Sequence, residues 1–255
     1  MFFIGTFFFN FNFICEFVKY CESMYNKARK VFNMDTKGII FDFNGTLFWD
    51  SQKHYDAWVE TSRKLRGTPF NDYEMVHHMF GRRNAEIIEY ALGYKPSDEE
   101  IRKIAEEKEL IYLDMCKKDP ENTKLADGVE EFLDYLCENN IPHTIATMSE
   151  KINVDFYIDV FNLAKWFDLD KIVYSDGTIP GKPAPDIYEI AAKKINVAPE
   201  NCIVFEDAFS GIKAATSAGV KRIIAVASKE PVDFYKSIDC VTNVITDFKD
   251  IQNIL

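Results

Sequence analysis

Gly38-Ile39-Ile40-Phe41-Asp42-Phe43-Asn44-Gly45-Thr46-Leu47 decides how the rest of the 255-residue chain is read. Ile39, Ile40 and Phe41 show no apolar–polar alternation, so they read as a short strand buried on both faces, as in a parallel sheet. Asn44-Gly45 supplies the turn that ends it. Asp42 then sits at the carboxyl end of a strand. Open α/β sheets bind ligands there, in the crevice between the loops that leave the strands.

Downstream of this stretch the pattern changes twice. Ser51–Arg66 carries Tyr55, Trp58, Val59 and Leu65 at helical spacing among charges, and Asn84–Leu92 carries Ile87, Ile88, Ala91 and Leu92 before Gly93. Ser97 and Glu100 stand at capping-box spacing and open a third helix running to about Cys116, with Ile101, Ile104, Ala105 and Ile111 as its apolar face. From Phe48 to Thr123 the sequence therefore predicts helices and no strand. From Asp127 helices and strands alternate: helix 128–139, strand 143–147, helix 151–163, strand 171–174, helix 185–195, strand 202–205, helix 210–218, strand 222–226 and a last strand near 241–245. This alternation predicts an α/β fold of βαβ units, with right-handed crossovers, helices on both faces and the strand ends collected along one rim.

Composition bounds the function. Apolar residues make up 47% and aromatics 15%, enough for a sizeable core. A formal net charge of -11 with dispersed Lys and Arg argues against nucleic acid, which requires a basic face. The six cysteines (Cys15, Cys21, Cys116, Cys137, Cys202, Cys240) form no C-x-x-C or Cys/His ligand pattern, so they read as reduced thiols in a cytoplasmic protein. Met1 to Cys15 is Phe-rich and uncharged, but no basic residue precedes it and no small-residue cleavage site follows. It also falls short of the ~20 apolar residues that span a bilayer, so stable membrane insertion is not expected. An upstream extension before a start at Met34 is favoured slightly over a membrane-associating helix.

Four rim positions carry chemistry: Asp42, Thr147-Met148-Ser149, Lys182 in Pro180-Gly181-Lys182-Pro183, and Glu206-Asp207. The three carboxylates can hold Mg²⁺, which takes oxygen ligands and shares phosphate oxygens with its substrate. The Thr147 hydroxyl can bind an oxyanion, and Lys182 can neutralise phosphate and developing charge. Asp42 is then free to act as a carboxylate nucleophile. Taken singly, each residue has a plainer reading, with Lys182 as a solvated charge, Thr147 as a strand-end cap and Glu206-Asp207 as an N-cap. Their coincidence on one sheet edge favours a site.

The chain from Lys37 onward resembles the haloacid dehalogenase-like superfamily, in the subgroup with a helical cap inserted after the first strand that includes β-phosphoglucomutase and sugar-phosphate phosphatases. The resemblance rests on four motifs: Asp42-Phe43-Asn44-Gly45-Thr46, Thr147 at a strand end, Lys182 in Gly-Lys-Pro-Ala-Pro-Asp, and Phe205-Glu206-Asp207-Ala208-Phe209-Ser210-Gly211-Ile212. It implies a Rossmann-like core of residues 37–48 and 124–255, a helical cap of 49–123 and an N-terminal extension of 1–36. It also implies Asp42 as nucleophile and metal ligand, the Asn44 backbone carbonyl and Asp207 as further Mg²⁺ ligands, and Glu206 as a ligand or a group supporting one. Thr147 and Lys182 would bind phosphate, with Thr46, Ser149, His54, Arg82 and Arg83 as substrate contacts. His54 lies in a segment similar to the mutase's cap histidine, though it also reads as an exposed helix residue, and Arg82 and Arg83 read equally as surface charges.

One residue departs from the family pattern. Where the phosphatases and mutases carry an acid–base Asp two residues after the nucleophile, this chain has Asn44. An amide cannot exchange a proton near neutral pH, and general acid–base help contributes ~10²–10⁴-fold. The expectation is a monomeric Mg²⁺-dependent phosphohydrolase acting on a small phosphorylated metabolite such as a sugar phosphate, slowed by Asn44. A phosphate-binding or regulatory protein with little turnover is the alternative. A phosphosugar mutase ranks lower because it needs the acid–base group twice, and a dehalogenase ranks low because it needs no Glu206-Asp207 pair.

Overall fold

The computed structural model describes residues 38–79, 82–249 and 251. What was expected of the Phe-rich stretch 1–36 lies outside the described residues. In chain order the main elements are β1 (Gly38–Phe41), α1 (Ser51–Arg66), α2 (Asn84–Leu92), α3 (Asp98–Lys118), α4 (Val129–Glu138), β2 (His143–Glu150) and α5 (Lys151–Val160). There follow β3 (Val173–Ser175), α6 (Asp186–Lys194), β4 (Cys202–Glu206), α7 (Phe209–Ser217), β5 (Arg222–Val226), α8 (Val232–Lys236) and β6 (Asn243–Ile245). The strands form one parallel sheet in the order β3-β2-β1-β4-β5-β6. This is an α/β, Rossmann-like fold with helices around the sheet, as the alternation predicts.

The sheet order places the site. From β1 the chain moves outward through β2 and β3, then returns to the other side of β1 to build β4, β5 and β6. The order therefore reverses between β1 and β4, and a crevice opens at their carboxyl ends. Asp42 leaves β1 there, its amide bonded to the Phe205 carbonyl of β4 at 3.0 Å, while Glu206 ends β4 beside it.

Both faces of the central strands are buried, which is why their sequences run apolar without alternation. Ile39, Phe41, Ile203, Phe205, Ile224 and Val226 pack on one face, and Ile40, Cys202, Val204, Ile223 and Ala225 pack on the other. The Phe41 ring stacks on Phe205 at 5.1 Å and meets Phe132 edge-on at 5.9 Å. The inserted helices α1 to α3 have a hydrophobic cluster of their own around Trp58, Met75, Ile88 and Ile104. α1 ends on Gly67 at φ 80°, with Arg63, Lys64 and Arg66 in its last turn, and Ser97 caps α3 by accepting the Glu100 N–H.

The structure shifts some boundaries. β2 extends three residues past Thr147 to Glu150, through a register irregularity against β3. A 3₁₀ turn over Leu169–Lys171 delays β3 to Val173, and α8 forms after Pro231 where no helix was expected. Between α1 and α2, Asn71 and Glu74 make a reciprocal capping box that leads into a π-helical turn, Met75–Met79. Among the described residues no helix is long and apolar enough to cross a membrane. Cys116, Cys137, Cys202 and Cys240 are free thiols.

Phe41 is fully buried among the rings of Phe205 on β4, Phe132 on α4, Phe167 and Phe248. Phe41→Ala is expected to cost ~3–5 kcal/mol of unfolding free energy, a range typical of aromatic truncation in a packed core. Urea denaturation of the full chain measures it.

Candidate active site

Asp42, Lys182, Glu206 and Asp207 come together at the β1/β4 crevice. Lys182 Nζ lies 2.6 Å from Asp42 Oδ1 and 2.6 Å from Glu206 Oε1, with its side chain only 7% exposed. The Glu206 carboxylate is also held by the Tyr188 hydroxyl at 3.1 Å and the Ala208 N–H at 2.6 Å. Each of its oxygens thus has a donor, and the residue fixes Lys182 in place. Two glycines make room for these carboxylates. A Cβ on Gly211 would fall 1.6 Å from Glu206 Oε1, and one on Gly45, at φ 82°, would fall 2.1 Å from Asp207 Oδ2.

Carboxylate oxygens of Asp42, Glu206 and Asp207 lie within 4.8 Å of one another, all buried. Burial, opposed by Lys182 and reinforced by Glu206 and Asp207, pushes the Asp42 carboxyl up to about 8. Burial likewise pushes Asp207 up to about 6 despite Lys229. Burial would pull the Lys182 ammonium down, but Asp42 and Glu206 hold it well above its ordinary value. Asp207 Oδ1 is 3.4 Å from the Thr46 hydroxyl; Oδ2 lies 2.8 Å from Lys229 Nζ but outside hydrogen-bond geometry, and so is buried without a hydrogen-bond partner. Fully ionised, three carboxylates against two ammonium groups carry an excess negative charge, and Asp42 and Asp207 hold their protons to higher pH accordingly. An oxygen-rich, under-neutralised cluster of this kind fits a hard divalent cation.

Asn44, Thr147 and Ser149 form the adjoining wall. The Ser149 hydroxyl donates to Asn44 Oδ1 at 2.5 Å and Thr147 Oγ1 donates to the same oxygen at 3.3 Å, while the Ser149 N–H donates to Thr147 Oγ1. On its other side Asn44 Nδ2 donates to Asp50 Oδ2 at 2.6 Å and to the Tyr157 hydroxyl at 2.8 Å. Asp50 is buried, accepts the Tyr112 hydroxyl and stands 3.2 Å from His54 Nε2. Burial opposes its ionisation, but His54 and these donors prevail and lower it.

The remaining expected contacts sit differently. His54 gives one ring nitrogen to Asp50 and the other to Lys108 Nζ at 2.8 Å. Arg82 and Arg83 are exposed at the mouth, both against Glu86 at 3.6 and 2.9 Å. They help line a cleft of about 440 Å³ with Gly181 and Lys182. Sequence reasoning missed Asp50, Tyr157, Ser228 and Lys229. The Ser228 hydroxyl donates to the Gly45 carbonyl, and Lys229 faces Asp207. Both follow β5, so the strand-end rule applied to Asp42 and Glu206 points to them as well.

With this geometry in hand, comparison with known proteins is direct. A family model described as haloacid dehalogenase-like hydrolase matches residues 36–219. The chain belongs to this family. A phosphorylated carbohydrates phosphatase of Thermotoga maritima is 30% identical over 194 residues, covering 74% of this chain and 85% of that protein. A HAD hydrolase of family IA, variant 3, from Entamoeba histolytica superposes with a TM-score of 0.80 at 41% identity, covering 86% of this chain and 98% of that one. The β-phosphoglucomutase of Clostridium difficile superposes at 0.67 with 26% identity, covering 84% and 92%.

Because protons compete with a cation for Asp42 and Asp207, the thermal stabilisation conferred by Mg²⁺ is expected to grow between pH 5 and 8. The sign follows from linkage: both folded-state values, about 8 and about 6, lie above the ordinary 3.8. The cation-free fold therefore binds more protons than the unfolded chain and loses stability as pH rises, a loss that a bound cation offsets. Melting with Mg²⁺ and with chelator across this range checks it, and Asp207→Asn should remove most of the difference.

Gly211→Ala tests the role of Glu206. Alanine favours the helix by ~1 kcal/mol, but its methyl group displaces the carboxylate that fixes Lys182. A folded protein with turnover reduced about 10²-fold is expected, as for a misplacement of about 1 Å at a catalytic group. Steady-state kinetics beside a melting curve separates the two effects.

Proposed function

We propose that the protein is a Mg²⁺-dependent phosphohydrolase acting on a small phosphorylated metabolite, of the sugar-phosphate class that its relatives' names describe. The observation that carries this reading is the Asp42 carboxylate at the β1/β4 crevice, held by Lys182 at 2.6 Å within a buried acidic cluster. Residues 49–123 act as its cap. Asp42, Asp207 and the Asn44 backbone carbonyl would hold the cation, with Glu206 supporting the site through Lys182. When bound, Mg²⁺ supplies charge neutralisation to the phosphate oxygens.

An Asp42 oxygen attacks phosphorus, and the ester oxygen departs with the bonding electrons. Lys182, Thr147 and Ser149 offset the charge on the phosphoryl oxygens. The leaving oxygen takes its proton from water, because the Asn44 amide is too weak an acid to transfer one, and this step is slow for a poor leaving group. A second water cleaves the aspartyl-phosphate, releasing phosphate and returning the Asp42 carboxylate. A binding protein with little turnover is the second reading. The hydrogen bonding of Asn44 on both sides favours it, because the amide is engaged at its oxygen and at its nitrogen.

A phosphatase screen with Mg²⁺ tests both. Under the enzyme reading wild type turns over and Asp42→Asn abolishes it. Asn44→Asp should raise turnover of poor-leaving-group esters by ~10²-fold or more, since the new carboxyl shares a proton with Asp50 and can donate it. Equal rates in wild type and Asp42→Asn would overturn the nucleophile assignment. An inert wild type beside an active Asn44→Asp would favour the binding reading.

A further inference from the structure

A second polar cluster joins the inserted helices to the sheet, and the proposed chemical steps do not use it. Glu109 of α3 is 4% exposed; its Oε1 takes Lys108 Nζ at 3.0 Å and its Oε2 takes Asn153 Nδ2 of α5 at 2.8 Å. Asn84, at the start of α2, reaches Glu109 Oε1 at 3.5 Å and Glu150 Oε1 at 3.3 Å. Glu150 ends β2 directly after Ser149, whose hydroxyl holds Asn44 two residues from the nucleophile. The cluster thus borders the site on the side covered by the insertion.

Its chemistry is one-sided. Among the described residues Lys108 is the one cation within it, and that ammonium is already divided between Glu109 and His54. Glu150 has only the Asn84 amide, and burial together with Glu109 raises its carboxyl above the ordinary value. Independently, Asn153 Oδ1 is buried with no hydrogen-bond partner, although the residue is only 2% exposed. The cluster therefore sets two carboxylates and one unmet amide oxygen against a single ammonium, and an unmet buried acceptor is costly. Of these groups the half-buried Glu150 carboxylate is the one a ligand can reach: O–H or N–H groups pair with it, and a second anion meets the charge of Glu150 and Glu109.

We infer that Glu150, backed by the charge of Glu109, sets specificity for the alcohol half of the substrate, accepting its hydroxyl or amino groups and repelling a second phosphate. The inference rests on the phosphohydrolase reading and narrows it to monophosphate esters of polyols or amino-alcohols. Arg82 and Arg83 do not supply the missing charge to this cluster, since both turn to Glu86 at the mouth.

The test is calorimetric binding of non-hydrolysable phosphonate analogues of a hexose 6-phosphate and the matching 1,6-bisphosphate, using the full chain with saturating Mg²⁺. Wild type is expected to bind the monophosphonate at least about tenfold more tightly, which corresponds to ~1.4 kcal/mol. Glu150→Lys should erase or reverse that ratio, and Glu150→Gln, which keeps the side chain's shape, should fall between. Tighter or equal binding of the bisphosphonate by wild type, or a ratio unmoved by Glu150→Lys, overturns the inference. If a hexose monophosphate is still hydrolysed in an Asp42-dependent way, the phosphohydrolase reading survives that result. If wild type binds neither analogue and hydrolyses nothing, both fall together.

Discussion

Three buried carboxylates at the carboxyl ends of two adjacent parallel strands set the terms for the rest of the molecule. Asp42, Glu206 and Asp207 are each at most 6% exposed, and removing such charges from water costs several kcal/mol apiece unless partners compensate. The sheet order brings them together, and the loops that follow must then supply the partners. Lys182 arrives from the loop before α6 and Lys229 from the loop after β5. Tyr188 and the Ala208 N–H complete Glu206. Gly45 and Gly211 have no side chain where one would collide with a carboxylate. With all three ionised, what remains after this compensation is one unbalanced negative charge among clustered oxygens, the feature that makes a divalent cation chemically apt.

Legibility in the sequence follows the range of the interactions. β1 could be read because burial on both faces removes alternation, a local signal. Asp42 and Glu206-Asp207 could be read because each pair of strand and carboxylate is contiguous, whereas Lys182 was read from its Gly-Pro-rich loop. Boundaries failed where a tertiary contact decides them, as at β2, whose extra residues bring Ser149 and Glu150 beside Asn44 and Asn84. Lys108 and Glu109 lie in a charged run, Glu106-Glu107-Lys108-Glu109, that reads as a solvated helix face. They are buried because the insertion closes on α5, and nothing within a helix's own periodicity reports that. The Asn44, Asp50, Tyr112 and Tyr157 group is similarly invisible, since Tyr157 stands 113 residues from Asn44 in the chain.

The site therefore has two electrostatic halves with different solutions. On the β1/β4 side, lysines answer carboxylates, and the surplus negative charge suits a metal cation, which can in turn take a phosphate oxygen. On the side of the insertion, Lys108 answers Glu109 while Glu150 is held by the neutral Asn84 amide, and the remaining carboxylate charge suits neutral or cationic donors. A phosphate ester of an uncharged alcohol matches both halves at once, because its anionic end and its hydroxyl-rich end carry opposite requirements.

Asn44 stands between these halves, and its neighbours explain why an amide is the residue that fits. It faces two hydroxyl donors, Ser149 and Thr147, on its oxygen side, and the Asp50 carboxylate with the Tyr157 hydroxyl on its nitrogen side. An ionised Asp could accept from the first pair, but it would set two negative oxygens at the 2.6 Å separation now spanned by the N–H of Asn44. A protonated Asp would meet both sides, at the cost of a carboxyl whose proton is shared with Asp50. Asp50 and Asn44 are thus matched: a buried carboxylate at one position calls for a donor at the other. A change of charge at residue 44 is therefore felt first at Asp50 and its tyrosines.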